Sequence, residues 1–396
     1  MTIDDYQTFT DQIDDRDIVI CVGSGGVGKT TTSAVLGLQA AISGRRVLVL
    51  TIDPARRLAN SLGIDAIGSE RQQIPLEQFR QLGIEPEGEM WAMMLDMKEA
   101  FDDLVQRDAP DEETRREILN NRFYHYFSTS LAGTQEYAAS ERLYELYEED
   151  RFDLIILDTP PTTQALDFLE APERLADAVS SKALQWVYRP GILSGNPGRG
   201  ILSVGTSYVM RTLGKFTGTE LLEELRVFLR TFSSLFEGFE KRARAVQSLL
   251  CGDETAFVVV TAPDTLSVED ALFFYNKLDD DALNVDGFVV NRVHPEWVEP
   301  EILDAADDQL SAELQRLDDR VEGVDIDLDD LANRLVENAR QFQLRADQDT
   351  SSIAKMDQEL PSSLPVLRVP YFNQDIHSLE GLDRARRELF AELSGS

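Results

Sequence analysis

Cysteine, lysine and histidine are all scarce in this chain: its 396 residues include two cysteines, seven lysines and three histidines. Two thiols, Cys21 and Cys251, leave no CxxC pair, no His/Cys ligand cluster and no disulfide framework, which excludes a structural zinc site. His125, His294 and His377 follow no spacing pattern and are assigned no catalytic role. Basic residues are outnumbered, 38 against 72 acidic ones, for a formal charge of -34. Without a cationic excess to neutralise phosphates, binding to bulk nucleic acid is excluded. Such an acidic, lysine-poor surface suits a salty cytoplasm, where screening weakens self-repulsion, and equally suits a protein kept soluble by charge alone. Long apolar runs are missing too. Ile18 to Val22 and Val47 to Ile52 are strand-length, far short of the roughly 20 residues that cross a bilayer, so no transmembrane segment is expected. The opening MTIDDYQTFTDQIDDRD is acidic and lacks the basic and apolar regions of a secretory signal, so the expected location is the cytoplasm.

What is present is enough apolar material for a sizeable core, 42% of residues. Five runs read as buried strands: Asp17 to Gly23, Arg46 to Asp53, Phe152 to Asp158, Ala256 to Ala262 and Gly287 to Val293, with a sixth at Leu364 to Tyr371. Most are near-continuous Val/Ile/Leu rather than alternating, which fits parallel strands covered on both faces by helices. The expected class is therefore α/β, a doubly wound, mostly parallel sheet. The gaps at about 54–151 and 160–255 far exceed a simple crossover and read as helical insertions. The division expected is one domain, with a nucleotide-binding core at about 15–90, 151–170, 255–298 and 362–396. Helical insertions follow at about 91–150 and 171–254, and an acidic helical segment at about 299–355. Within the second insertion, Leu221, Leu225, Phe228, Phe232, Leu235 and Phe239 repeat at spacings of 4 and 3 and predict an amphipathic helix. The glycine-rich YRPGILSGNPGRGILSVG before it reads as an irregular loop.

GSGGVGKT, Gly23 to Thr30, matches the phosphate-loop pattern G-x-x-x-x-G-K-[ST] and sits directly after the strand DIVICVG and before the helical TTSAVLGLQAA. Gly23, Gly25, Gly26 and Gly28 let backbone N–H groups curl around phosphate oxygens, with Ser24 and Val27 between them. Lys29 reaches the β- and γ-phosphates, and the Thr30 hydroxyl, followed by Thr31, holds Mg²⁺ at a positive helix terminus. Asp53 in LTIDPARRL and Asp158 in LIILDTPPTT each end a buried strand, where a carboxylate is costly without a ligand or partner. Either alone is equally well a helix N-cap. Two such aspartates beside one phosphate loop point to one for the attacking water and one for the Mg²⁺ shell.

The ordered motifs GSGGVGKTT, TIDPARRL, LDTPPTTQALDFL, VVVTAPDTLSVEDA, FVVNRVHP and VPYFNQDIHSLEGL together resemble the anion-transporting ATPases, the family of the arsenite-pump ATPase and of the cytosolic ATPase that targets tail-anchored membrane proteins. LAGTQEYAASERL is similar to the bacterial branch. The resemblance implies ATP and Mg²⁺ as cofactors, with Gly23 through Thr31 as the nucleotide loop and Lys29 and Thr30 on phosphate and Mg²⁺. It implies further that Asp53 orients the hydrolytic water and Asp158 contacts Mg²⁺ through water. Asn291 would read adenine, with Pro370 and Tyr371 lining the base pocket. It also implies a dimer, homodimeric or with a paralogue, and an apolar groove in the helical insertion for a client helix; the Leu221 to Phe239 stripe either contributes to that groove or packs on its neighbours.

Two departures limit the likeness. The arsenite pump's metalloid cysteines and the targeting factor's CxxC zinc site have no counterpart here, and the family's second loop lysine, which reaches the partner's phosphates, is replaced by Ser24. The expected function is a cytosolic Mg²⁺-dependent ATPase whose hydrolysis drives a dimer cycle; the alternative is a weakly active nucleotide-binding subunit paired with a lysine-bearing paralogue.

Overall fold

The computed structural model describes residues 3–52, 57–64, 67–130, 134–160, 171, 228, 231–296 and 328–390. In the first half of the chain, α1 (Ile3–Asp14) precedes β1 (Ile18–Val22), α2 (Lys29–Ile42), β2 (Arg46–Thr51) and α3 (Arg57–Leu62). Then come β3 (Gln72–Gln73), α4 (Leu76–Gln81), β4 (Glu89–Met94) and four helices, α5 (Met97–Asp108), α6 (Glu112–Leu119), α7 (Arg122–Ser130) and α8 (Thr134–Glu148). The second half holds β5 (Leu154–Asp158), α9 (Phe236–Leu250), β6 (Thr255–Thr261), α10 (Thr265–Asp280), β7 (Val285–Val293), α11 (Leu328–Glu359), β8 (Val366–Pro370) and α12 (Leu379–Leu389).

The strands form one eight-stranded sheet in the order β3-β4-β2-β5-β1-β6-β7-β8. All neighbours are parallel except β3 and β4. Every strand expected from the apolar runs is found, and both faces of β1 are buried. Val19 and Cys21 join the cluster beneath α1, α2, α3, α4 and α12, while Ile18, Ile20 and Val22 join the one beneath α8, α9, α10 and α11. That two-sided burial is why the run reads as continuous rather than alternating.

The first long gap departs from the helical reading. It contains β3 and β4, and β4 carries the sheet to Met94, into the stretch assigned to the helical insertion. Its sequence, EMWAMM, is half methionine, and methionine, alanine and glutamate all have high helix propensity. Register with β2 from Arg46 opposite Glu89 to Thr51 opposite Met94 overrides that preference.

A third cluster fills the helical insertion, with Phe101, Leu104, Tyr124 and Tyr137 packed around Phe228, Phe232, Leu235 and Phe239. Those last four are the described part of the amphipathic stripe, and all are buried against insertion helices. Leu221 and Leu225 lie outside the described residues, as does the glycine-rich loop at 188–205. The expected helix does not run unbroken through Phe239: Ser233–Leu235 is a 3-10 turn, where Ser234 Oγ donates to the Thr231 carbonyl at 2.7 Å. Of the acidic segment expected at about 299–355, the described part is the 32-residue α11, and 297–327 lie outside the described residues.

Candidate nucleotide site

β1 lies between β5 and β6, so the loop leaving its carboxyl end is flanked by the ends of both strands. The chain passes so close to β6 at Gly23 that a Cβ there would lie 2.0 Å from the Val260 carbonyl oxygen. At Gly28, φ is +104° and a Cβ would meet Asn291 Nδ2 at 2.1 Å. Only glycine fits either position. Gly28 is the N-cap of α2 and leaves the first-turn amides of that helix without a side-chain cap, the arrangement that accepts an anion.

Lys29 is buried, and its Nζ donates to the carbonyls of Gly23 and Ser24, both at 2.9 Å. The only loop lysine is thus curled over the loop it belongs to. Behind it, Asp158 Oδ2 accepts from Thr30 Oγ1 at 2.7 Å and from Thr51 Oγ1 at 2.9 Å. Strand register makes this possible: on β5, Asp158 stands opposite Cys21 of β1 on one side and Thr51 of β2 on the other. Asp158 is 1% exposed, and a carboxylate at that depth requires donors. Thr159 Oγ1 then donates to the Cys21 carbonyl at 2.7 Å and ties down the exit from β5.

The oxygen set of Thr30, Thr51 and Asp158 fits a small hard cation that keeps most of its water and binds through one carboxylate and substrate phosphates, which is the chemistry of Mg²⁺. Soft-metal chemistry has no comparable place among the described residues. Cys21 is fully buried, its thiol pushed up to about 12 chiefly by that burial, and Cys251 is exposed at the far end of α9. Among the described residues no group of three or more His, Cys, Asp or Glu side chains is arranged to hold a metal ion.

Asn291, near the end of β7, lies against the phosphate loop with its amide engaged with backbone. Nδ2 donates to the Val27 carbonyl at 2.8 Å and Oδ1 accepts from Arg292 N at 3.0 Å. Pro370 ends β8 opposite Val293, and the Tyr371 amide donates to the Val293 carbonyl at 2.8 Å. The Tyr371 ring stacks on His294, centroids 4.9 Å apart and planes 13° from parallel. Asp349 Oδ2 in turn accepts from the His294 amide at 2.8 Å and lies 2.8 Å from its Nδ1, so His294 fastens α11 to this end of the sheet. Asp53 lies outside the described residues, immediately beyond β2.

Sequence reasoning missed Thr51, His294, Asp349 and one further contact: Ser24 Oγ donates to Asp270 Oδ2 on α10 at 2.8 Å. Thr51 carried a usable signal, since it precedes Asp53 by two residues in the same strand run. Asp270 carried none, because 246 residues separate it from Ser24.

The family's model, anion-transporting ATPase, matches residues 16–333. The chain belongs to that family. Among its relatives, a protein of Aquifex aeolicus with the provisional name arsenical pump-driving ATPase 1 is 27% identical over 292 residues, 71% of this chain and 64% of that protein. The match thus spans less than two thirds of that relative's length. ATPase get3 of Aspergillus terreus is 26% identical over 273 residues, 68% of this chain and 71% of that protein. ATPase ASNA1 homolog 1 of Paramecium tetraurelia is 24% identical over 272 residues, 68% of this chain and 73% of that protein.

Proposed function

We propose that this member of the anion-transporting ATPases binds ATP with Mg²⁺ and hydrolyses it, and that hydrolysis drives a conformational cycle in a dimer. The observation that carries this reading is the union of Lys29, Thr30, Thr51 and Asp158 at the carboxyl ends of three adjacent strands. Mg²⁺ supplies charge neutralisation at the phosphates. Lys29 turns from the Gly23 and Ser24 carbonyls toward the β- and γ-phosphates, and the α2 amides after Gly28 receive phosphate oxygens. Thr30 and Asp158 would hold the metal. Asp53, two residues beyond β2 in the sequence, orients the attacking water, a role carried by the family resemblance. Asn291 braces Val27, and with Pro370 and Tyr371 it would line the base side, a role carried by the family resemblance.

The described residues limit where a client could sit. Phe228, Phe232, Leu235 and Phe239 are committed to the insertion's own core, and a hydrophobic client helix would be held by other surfaces. No helix among the described residues is long and apolar enough to cross a membrane.

Lys29→Ala should abolish tight MgATP binding while leaving the fold intact. Calorimetry on the purified chain and on the variant checks this, and equal affinities would sink the phosphate-loop reading. The second reading, a weakly active subunit beside a lysine-bearing paralogue, is favoured by Ser24, which carries no charge and is turned toward Asp270 of its own chain. Single-turnover hydrolysis with and without such a paralogue separates the two: full activity by the chain alone removes the second reading.

A further inference from the structure

The Ser24 contact places an acid at the mouth of the phosphate loop. Ser24 is the second residue of the loop, and its two polar ends point to different groups. Its carbonyl accepts from Lys29 Nζ at 2.9 Å, and its hydroxyl donates to Asp270 Oδ2 at 2.8 Å. Lys29 is the side chain that meets the β- and γ-phosphates, so the loop segment against it is the terminal-phosphate side of the site. Asp270 follows Glu269 on an exposed turn of α10. Glu269 has Lys355 of α11 at 3.4 Å, whereas among the described residues no basic side chain pairs with Asp270.

We propose that Asp270 is a positioning and specificity-determining residue of the nucleotide site: through Ser24 it latches the loop to α10, and its carboxylate discriminates against the charge of a terminal phosphate. The proposal rests on the nucleotide-binding reading above and extends it to which nucleotide is favoured. A carboxylate one hydrogen bond from the loop repels a γ-phosphate more than it repels a diphosphate, because the added charge lies on its side of the site. Screening at the exposed mouth reduces the effect without abolishing it. The latch holds that carboxylate against the loop.

Three variants separate charge, latch and background. Asp270→Asn keeps an acceptor for the Ser24 hydroxyl and removes the charge. Ser24→Ala removes the latch and keeps the charge. Glu269→Gln removes the neighbouring acid, which faces α11 rather than the loop. MgATP and MgADP affinities are measured by calorimetry for each at 50 mM and 500 mM KCl. Asp270→Asn should tighten MgATP roughly fivefold or more at low salt and MgADP by clearly less, with the difference shrinking at high salt. Glu269→Gln should leave both affinities unchanged. Ser24→Ala should move both nucleotides in the same direction and retain the salt-dependent preference against ATP. Equal shifts for ATP and ADP in Asp270→Asn, or the same gain in Glu269→Gln, would overturn the assignment. A native chain that binds neither nucleotide would instead overturn the nucleotide-binding reading beneath it. All three positions are at the surface or retain their neighbours' packing, and circular dichroism and melting of each variant verify the fold.

Discussion

Individual side chains at this site are set by depth. Lys29 and Asp158 are charged residues kept in the interior, and each is held by neighbours close in space: two carbonyls for the lysine, two threonine hydroxyls for the aspartate. The thiols divide by the same criterion. Cys21 is sealed in β1 and its thiol is pushed up to about 12, while Cys251 is exposed. Thiolate is the reactive form, so a disulfide reagent at pH 8 should modify one thiol per native chain, at Cys251. Cys21 should react only as fast as the protein unfolds. Two thiols reacting at similar rates without denaturant would show that the β1 end opens readily. Mass spectrometry of the labelled peptide identifies which thiol is modified.

At the scale of elements, the helical insertion is joined by one buried acid. Glu141 on α8 is 3% exposed and receives Arg107 of α5 at 3.0 Å, Arg242 of α9 at 2.7 Å and the Tyr137 hydroxyl at 3.2 Å. Burial, with Glu141 next to it, also pushes the Tyr137 hydroxyl upward, so it stays a donor. Three helices thus share one carboxylate, from the stretch LAGTQEYAASERL whose resemblance pointed only to a branch of the family. Glu141→Gln leaves two arginines facing a neutral amide. Breaking a buried pair costs about 3–5 kcal/mol, and partial exposure of both arginines places this case at about 3 kcal/mol. Urea unfolding monitored by circular dichroism measures it; a loss below about 1 kcal/mol would mean that the aromatic cluster alone holds these helices. The insertion's aromatic cluster explains the stripe: at the level of one helix, a row of phenylalanines is compatible with an open groove or a closed core, and the presence of Phe101, Tyr124 and Tyr137 opposite it makes it core.

For the whole molecule, charge is the dominant property. With 72 acidic and 38 basic residues, the folded chain confines a net charge of -34 that the unfolded chain spreads over a larger volume. Local ion pairs such as Arg16 with Asp286, whose guanidinium contacts both carboxylate oxygens at 2.8 Å, fasten strand ends but leave that excess in place. Raising KCl from 0.05 to 1 M shortens the screening length from more than about 10 Å to about 3 Å. The melting temperature should therefore rise by several degrees, checked by scanning calorimetry in the absence of nucleotide. A melting temperature that falls or stays level would show that ion pairs outweigh repulsion, contrary to what the composition implies.

The phosphate loop, the parallel-strand cores and the family were legible in the sequence because each is local. A strand buried on both faces must be continuously apolar, and a loop that wraps phosphate must place glycine and lysine at fixed offsets before a helix. Asp158 was legible for the same reason, as an acid ending an apolar run. Only the tertiary structure decided what those residues touch. The alignment of Thr51 with Asp158 comes from strand register, the place of β4 from an available sheet edge beside β2, and the closure of the phenylalanine stripe from helices contributed by a distant segment. Asn291 meets Val27 across 264 residues and Asp270 meets Ser24 across 246. No periodicity or local propensity encodes such a pair, because its partners become neighbours only when the sheet order is complete.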